Sequence, residues 1–438
     1  MALGGGTFTT QNKTLPGAYI NFVSAGNNVT MGERGTAVLA LPLNWGKTGG
    51  FITIDSGDYT SKAAELLGYE AGAAALLLVT ECMKRAKKLL LWRSDSGGEK
   101  ASATVGELTA TAVCAGIRGN DISAAVYANT NGTFDVVTYV DSIEYDRQTV
   151  SAAADIKANS FVSFSGENIT ATAAVKLAGG TNGTVNGKSV SDFLAAAEKE
   201  TFSVLGCTAS DSDTKALYAA FTKRLRDDEG KKIVCVMADY AGDYEGIISV
   251  KNGVVLENGT TLDKYGAVCW VTGASAAAEI NESLTNVAYD GAVGVDEKYA
   301  KSDYEAALKA GEFVFYEDNG KARVLSDINT LVTFTPENNS DFTENRCVRV
   351  LDGWANDVAA LFGRSYLGSV TNSDTGRSLF KSDIVTLGRQ YEEIDAISDF
   401  SPDDITISQG AGKRDVKVDM SIKPNGSMEK LYMTVQVN

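Results

Sequence analysis

The chain has 438 residues, of which 56 are acidic and 40 basic, giving a formal net charge of −16 at neutral pH. This acidic balance argues against a surface that coats nucleic acid, because neutralising phosphates requires clustered Lys and Arg. The length predicts about two to four domains, and 44% apolar residues with only 5 prolines indicate folded globular domains.

Residues 1–25 predict an extended N-terminal arm. A short strand pattern follows the glycines at 4–6, and it ends at Gly26-Asn27-Asn28. No neighbouring segment offers a complementary strand, and an unpaired strand edge readily takes up another chain. We therefore expect a hinge at Gly26, and pairing with a second copy through Ala18, Tyr19, Ile20, Asn21, Phe22 and Val23.

The same region carries no targeting signal in the sequence. The first seven residues lack the basic and apolar regions of a signal peptide, which predicts that the chain is not secreted by that route. Its most apolar run, Ala71 to Val79, is much shorter than the ~20 residues of a membrane span.

Residues 26–98 predict an N-terminal α/β segment. The pattern is strand (35–43), strand (51–54), an Ala-rich helix (61–87) and strand (88–93). Gly46-Lys47-Thr48 resembles the end of a phosphate-binding loop. However, Leu41 stands where that loop needs its first glycine, so we interpret these residues as an ordinary loop.

Residues 99–182 predict a β-sandwich. Short apolar or alternating runs occur at 108–115, 122–128, 134–140 and 161–164, and turn sequences such as Asn131-Gly132 separate them. The change from mixed to all-β patterning indicates an inserted domain.

Residues 183–332 predict an α/β domain with a mainly parallel sheet, because helices and buried strands alternate. The predicted helices are 190–200, 214–228 and one beginning at Ser275; the predicted strands are 202–207, 233–238 and 267–272. A hairpin at 313–325, turning at Asp318-Asn319-Gly320, closes the domain. The Asp211-Ser212-Asp213 sequence could hold a cation, but helix capping explains it better.

Residues 333–438 predict an α+β C-terminal domain with helices at 347–362 and 377–394. Two alternating runs follow, separated by Pro424-Asn425-Gly426, and they predict strands running to the last residue. We expect hinges at Gly410 and Gly412. The apolar positions assigned to inter-subunit pairing are Val416, Val418, Met420, Ile422, Leu431, Met433, Val435 and Val437.

The composition limits the chemistry available to the chain. It contains no histidine, which removes Ser-His-Asp and Cys-His catalysis and histidine-containing zinc sites. Its six cysteines form no CxxC motif and lie mostly in apolar runs, which indicates buried free thiols made in a reducing cytoplasm. We assign no catalytic residue, metal ligand or cofactor.

Four sequence phrases, in the same order along the chain, together resemble contractile-tail sheath proteins of Gram-positive phages, prophages and phage-tail-like bacteriocins. They are Thr9, Gln11, Asn12 and Lys13 with Pro16–Phe22, then Gly116–Ile122, Leu177–Gly183 and Met428–Val435. The resemblance spans nearly the whole chain. It implies a subtilisin-like α/β domain without protease activity, an inserted β-sandwich, an α+β C-terminal domain facing a tail tube, and extended terminal arms.

The resemblance also implies partners. Arms of neighbouring subunits would add strands to another subunit's C-terminal sheet and tie hexameric rings into a helical sleeve. Tail tube, baseplate and tail terminator proteins would be further partners, without nucleic acid. Assembly would take place in the bacterial host cytoplasm before the protein joins a phage tail or tail-like particle. The segment 26–98 would pack with the C-terminal domain.

Two other functions remain open from the residues alone. The α/β domain could be a divergent hydrolase, with Ser275 as its candidate nucleophile, although no base accompanies that serine. The β-sandwich and the acidity could instead mark a surface-layer or adhesive module, which the missing signal peptide disfavours.

Overall fold

The computed structural model describes residues 4–6, 17–19, 29, 31–32, 34–336 and 338–437. The chain forms two compact units. The larger unit contains residues 33–355 and 424–438, and the smaller unit contains residues 1–32 and 356–423. In the smaller unit, strands β1 (Gly4–Gly6) and β2 (Gly17–Tyr19) pair in parallel.

The first segment of the larger unit has the predicted order of strand, strand, helix and strand. The predicted single helix at 61–87 is wrong in its extent, because Gly68 adopts a left-handed φ of 79° and ends the first helix. A short 3₁₀ turn at Ala74–Leu76 precedes the second helix. The elements are β3 (Thr36–Leu41), β4 (Phe51–Asp55), α1 (Tyr59–Leu67), α2 (Leu77–Met83) and β5 (Lys88–Arg93).

The predicted β-sandwich is confirmed, with seven strands in two sheets. One sheet has the order β10-β9-β8-β12 and the other β11-β7-β6. The sequence pattern does not reveal three of the strands, because β6 and β12 consist mainly of small or polar residues and β10 is mostly polar and exposed. The strands are β6 (Ser102–Val105), β7 (Leu108–Ala112), β8 (Ile122–Ala128), β9 (Phe134–Val140), β10 (Ile143–Val150), β11 (Val162–Ser165) and β12 (Thr172–Lys176).

The α/β region that follows supplies the rest of the main sheet. Its helices are α3 (Gly187–Ala197), α4 (Ser212–Lys223), α5 (Lys264–Ala277) and α6 (Lys301–Lys309). Its strands are β13 (Val204–Cys207), β14 (Val234–Ala238), β15 (Ile247–Val250), β16 (Val254–Leu256), β17 (Thr261–Leu262), β18 (Ala292–Val295), β19 (Glu312–Phe313), β20 (Phe315–Asp318) and β21 (Lys321–Val324). The Asp318-Asn319-Gly320 hairpin occurs as predicted.

In the described part of the chain, the main sheet has seven strands in the order β19-β15-β14-β13-β3-β5-β4, and of these only β4 runs antiparallel to its neighbour. Because β3 pairs with β13, the segment 26–98 belongs to the same sheet as the α/β region. Its strands complete the main sheet, and the packing of this segment with the C-terminal domain stays a prediction.

Helices cover both faces of this sheet, so its strands are apolar on both sides. Leu39, Leu91 and Val236 face a core that includes α2 and α5. Val38, Leu90 and Leu205 face a second core with α3 and α4. This arrangement explains the continuous apolar runs that the sequence shows at 88–93 and 233–238.

The predicted strand at 267–272 is wrong, because these residues lie inside α5. Every residue from Gly266 to Ala276 is buried, so the helix shows no polar stripe and its apolar run looks like a buried strand. Gly273 allows α2 to approach closely, since a Cβ there would lie 2.3 Å from the Cys82 carbonyl oxygen. Ser275 accordingly lies near the end of a helix and not at its start.

Two long helices and a hairpin follow. They are α7 (Asn345–Ser365), α8 (Asp374–Glu393), β22 (Ile405–Gln409) and β23 (Val416–Met420), so both predicted helices are confirmed. In the smaller unit, the Tyr391 hydroxyl donates to Asp357 at 2.8 Å, and Asp357 also accepts from the Gly32 N–H. The Phe400 ring packs where a side chain at Gly388 would collide with it.

All six cysteines are free, as predicted, and only Cys114 is partly exposed. Burial raises the pKa of the Cys207 thiol to about 11. No helix in the described ranges combines the length and the apolar character needed to cross a membrane.

Candidate assembly interface

The N-terminal candidate strand is short and has a partner in the chain. Ala18 lies opposite Gly5 and Tyr19 opposite Gly6 in the β1–β2 pair. The expectation that no neighbouring segment complements this strand is therefore wrong for Gly17–Tyr19, because the glycine-rich opening pairs with it. Ile20, Asn21, Phe22, Val23 and Gly26 lie outside the described residues.

The first C-terminal candidate strand also has a partner. Val416, Val418 and Met420 belong to β23, which pairs antiparallel with β22 in a register that sets Ile405 opposite Met420. The expectation of an unpartnered strand here is corrected. Among the described residues this sheet has two strands, so each strand keeps one edge that no described strand covers.

The two faces of β23 differ in polarity. Val416, Val418 and Met420 are half-buried, whereas Lys417 and Asp419 are exposed and form a 2.8 Å ion pair on the opposite face. Such an exposed pair contributes little to stability. The apolar face therefore fixes how the sheet sits on its unit, and the edges stay open to main-chain pairing.

Gly410 and Gly412 form the turn of this hairpin. The N–H of Gly410 donates to the Asp415 carbonyl at 2.8 Å, and the N–H of Gly412 donates to the Asp415 carboxylate at 2.8 Å. The two glycines lie between β22 and β23, which pair with each other. Bending at this turn would not swing a terminal strand away from the body, so the hinge expectation at Gly410 and Gly412 is corrected.

The segment after β23 is held by contacts as far as Lys423, and the residues beyond it are exposed. Ile422 lies beyond the end of β23, and Ser398 N–H donates to the Lys423 carbonyl at 3.0 Å. The Lys423 ammonium lies 2.7 Å from Asp399, and this interaction lowers the pKa of that carboxyl. These contacts hold the chain as far as residue 423 on the smaller unit.

Residues 425–437 form no strand, contrary to the alternating pattern. Their large apolar side chains are at least 68% exposed: Met428, Leu431, Tyr432, Met433, Val435 and Val437. Soluble proteins rarely expose so many apolar side chains in one run, and such a run marks an interaction surface. The predicted positions Leu431, Met433, Val435 and Val437 thus lie on an exposed apolar segment, which we call the C-terminal arm (residues 425–437).

Sequence reasoning missed two parts of this region. Strand β22 could have been found, since Ile405 and Ile407 alternate with polar residues before a glycine-containing turn. The contacts of Glu429 with Thr285 and Ser326 could not, because these residues are more than a hundred positions apart.

Outside this region, the remaining sequence candidates have structural roles. Asp211 caps α4 by accepting from the Thr214 N–H at 2.8 Å, as predicted. Lys47 lies in an exposed loop between two strands, with no helix following it. The described residues contain no group of three or more Cys, Asp or Glu placed to hold a metal ion.

The fold and this region define a class of protein. Four family models match the chain in succession: the N-terminal region of tail sheath protein Gp18 domain III at 34–93, the phage tail sheath β-sandwich domain at 96–182, the central domain at 183–330 and the C-terminal domain at 337–438. The chain belongs to the phage tail sheath protein family, and it is a structural subunit of a tail sheath.

Individual relatives agree. The phage-like element PBSX protein XkdK of Bacillus subtilis is 39% identical over the full length of both chains. The crystal structure of the sheath tail protein from Desulfitobacterium hafniense is 43% identical, covers 96% of this chain and all of its own, and has a TM-score of 0.86. The contracted helical sheath of the anti-feeding prophage is 11% identical over 97% of this chain and all of its own, with a TM-score of 0.58, and shares the fold.

Proposed function

We propose that copies of this protein polymerise into a contractile sleeve of stacked hexameric rings, joined by exchange of terminal strands. The observation that carries the proposal is the coexistence of a donor and an acceptor in one chain. The C-terminal arm exposes apolar side chains without strand partners, and the β22–β23 sheet has open edges. A strand donated by one copy to the sheet of the next would bury the apolar side chains of the arm and would hydrogen-bond the open edge of the sheet.

Strand exchange of this kind is a heterologous contact. The donor and acceptor surfaces differ, so the contact repeats from copy to copy and builds rings or open helices. Burying a Leu, Met or Val side chain contributes about 1.5–3 kcal/mol, which favours transfer of the arm from water to a neighbour. The N-terminal strand, Ala18 to Val23, would be donated in the same way, with Gly26 as its hinge.

Contraction would then be a switch between two packings of rigid subunits. Better apolar burial and charge pairing in the shorter state would drive it. The exchanged strands would act as tethers, since their main-chain hydrogen bonds can persist while the subunit bodies rotate.

The sleeve would surround a tail tube protein and end at baseplate and tail terminator proteins, after assembly in the host cytoplasm. The boundaries 1–25, 26–98, 99–182, 183–332 and 333–438 remain predicted domain limits. The subtilisin-like character of the α/β domain is also a prediction, favoured by its mainly parallel sheet with helices on both faces.

Neither alternative function gains support. A hydrolase would need an accessible nucleophile, and the Ser275 hydroxyl is buried inside α5 without a hydrogen-bond partner among the described residues. No described feature favours a surface-layer or adhesive module.

Negative-stain electron microscopy of purified variants tests strand exchange. We expect striated hollow tubes from the full chain and folded monomers from a variant lacking residues 1–25. The variant L431S/M433S/V435S should also give monomers, because it removes the apolar face of the donated strand. The matched control T434S/Q436S alters the opposite face and should form tubes. Normal tubes from the truncated chain or from the triple variant would refute the proposal.

A further inference from the structure

The base of the C-terminal arm is fixed to the larger unit by Glu429. Its Oε1 accepts from the Thr285 hydroxyl at 2.7 Å, and its Oε2 accepts from the Ser326 hydroxyl at 3.2 Å. Arg346 adds a second contact by donating to the Gly426 carbonyl at 2.9 Å. The next large side chain, Leu431, is already 85% exposed.

The Thr285 hydroxyl that meets Glu429 is held in place by a buried polar cluster. Thr285 Oγ1 accepts the N–H of Asp327 at 2.9 Å, so its single proton is free to be donated to Glu429. The buried Asp327 carboxylate accepts from the Asn345 amide at 2.8 Å and from the Leu284 N–H at 3.0 Å.

Because the Thr285 hydroxyl is oriented by the Asp327 N–H, it forms together with the Ser326 hydroxyl a receptor for one carboxylate. Hydrogen bonds to a charged group are stronger than neutral ones. Ser326 is also nearly buried, so its hydroxyl would lose its acceptor if Glu429 left.

We propose that Glu429 is the positioning residue of the C-terminal arm: it fastens the base of the arm to its own subunit, so that only the residues after it cross to a second copy. This inference rests on the strand exchange proposed above. Residues 430–437 span at most about 26 Å when extended, at about 3.3 Å per residue. The acceptor sheet of the neighbour must therefore begin within that distance of Thr285.

A fixed base also fixes the register of the donated strand. Successive side chains of a strand point to opposite faces, so a slip of one residue would exchange the two faces. With Glu429 held, Leu431, Met433 and Val435 share one face and Tyr432 and Thr434 share the other. Without the contacts of Glu429, the donated strand should also pair in shifted registers, and the free part of the arm should be longer and more mobile.

Tryptic cleavage of the unassembled subunit tests directly whether Glu429 holds the base of the arm. Lys430 offers a cleavage site directly after Glu429, whereas the bond after Lys423 is followed by Pro424 and resists trypsin. We expect the variant E429A to release the peptide that begins at Leu431 about tenfold faster, as loss of a charge-assisted hydrogen bond implies. S326A should show a smaller increase in the same direction.

The matched control is S427A. The Ser427 hydroxyl donates to the same Glu429 oxygen at 3.0 Å, but it belongs to the arm itself, so its loss should leave the cleavage rate unchanged. Thermal unfolding of each variant checks that the body stays folded. Equal rates of cleavage after Lys430 in E429A and in the unsubstituted chain would overturn the proposal that Glu429 holds the base of the arm.

Assembly provides the second measurement. The protein concentration needed for tube formation, followed by pelleting and electron microscopy, should rise about tenfold for E429A and stay unchanged for S427A. An unchanged concentration for E429A would overturn the positioning role. If the unsubstituted chain forms no tubes at any concentration, strand exchange itself fails, whereas the proteolysis still decides whether Glu429 holds the arm.

Discussion

Arg226 and Asp352 form a buried two-pronged ion pair in the larger unit, with Nη1–Oδ2 at 2.6 Å and Nη2–Oδ1 at 2.9 Å. Arg226 lies in the π-helical turn after α4, and Asp352 lies on α7. Arg226 also donates to the Ile233 carbonyl at 2.7 Å. The pair therefore connects the first half of α7 to the turn after α4 and, through Ile233, to the start of β14.

Replacing Asp352 alone should be strongly destabilising. The substitution D352A removes both short bonds to the buried Arg226 guanidinium and leaves only Glu245, at 3.5 Å, as its counter-ion. Breaking a buried ion pair on one side typically costs about 3–5 kcal/mol. The double variant R226M/D352L removes the buried pair, leaves only the partly exposed Glu245 carboxylate, and should recover most of that loss, as measured by urea unfolding of the full chain. A double variant as unstable as D352A would show that packing around Arg226, and not the unpaired charge, causes the loss.

A second buried ion pair fastens the β-sandwich to the main sheet. Asp95 accepts from Arg93, from the Leu43 N–H at 2.9 Å and from the Gly183 N–H at 3.1 Å. Arg93 in turn donates to the Ala115 carbonyl at 2.6 Å. These contacts bring together the end of β5, the loop after β3, the loop after β7 within the sandwich, and Gly183 at the C-terminal end of the sandwich segment.

The pH dependence of this junction has a definite sign. Burial alone would raise the pKa of Asp95, but Arg93 and the two backbone N–H groups hold it below its ordinary value. A lowered pKa means that the stabilisation is fully present above about pH 4 and is lost as the pH falls through the folded-state pKa.

The variant D95N should therefore unfold at a lower temperature than the unsubstituted chain across the neutral range. The difference in Tm, measured by calorimetry, should shrink only below about pH 4. The matched control D192N removes an exposed carboxylate whose ion pair with Lys188 contributes little. A difference that shrinks already between pH 7 and 5 would contradict a lowered pKa at Asp95.

The local sequence pattern predicts helices and strands better than it predicts which strands pair with each other. The buried run at 88–93 and the alternating run at 134–140 both form the expected strands. In contrast, nothing in Thr36–Leu41 indicates that it pairs with Val204–Cys207, because pairing across so many residues depends on tertiary packing. Apolar content alone also cannot separate a fully buried helix from a strand, which is why the sequence predicts a strand within α5.

The candidate assembly interface shows the same limit of prediction from sequence. Alternation in residues 431–437 correctly marks an apolar run, but the single chain forms no strand there, since a strand needs a hydrogen-bonding neighbour. The motif containing Glu429 is visible in the sequence, whereas the hydroxyl groups of Thr285 and Ser326 converge on it only through folding.

Ser275 provides a test of the hydrolase alternative. Its hydroxyl is buried on α5 and finds no acceptor or donor among the described residues. The substitution S275A should keep the fold and could only relieve an unsatisfied group, so we expect a stability change within about 1 kcal/mol. A fluorophosphonate probe should leave the unsubstituted chain unlabelled under conditions that label a serine hydrolase. Labelling that disappears in S275A would restore the enzyme alternative.

Glu344 should make the base of the C-terminal arm sensitive to pH. Burial, reinforced by the nearby Glu429 carboxylate, raises the pKa of Glu344. The Cys347 thiol lies 3.7 Å from its Oε2, and Asp341 and Arg346 also face it. For an acid with a raised pKa, the native state is most stable at low pH and loses stability as the pH rises through the folded-state pKa.

The variant E344Q removes this titration because its side chain is neutral at every pH. The Tm of E344Q relative to the unsubstituted chain should therefore increase from about pH 4.5 to pH 8, as calorimetry at several pH values can measure. E429Q removes the neighbouring charge and should reduce the pH dependence without abolishing it, because burial of Glu344 remains. A Tm difference for E344Q that stays constant across this range would contradict a raised pKa at Glu344.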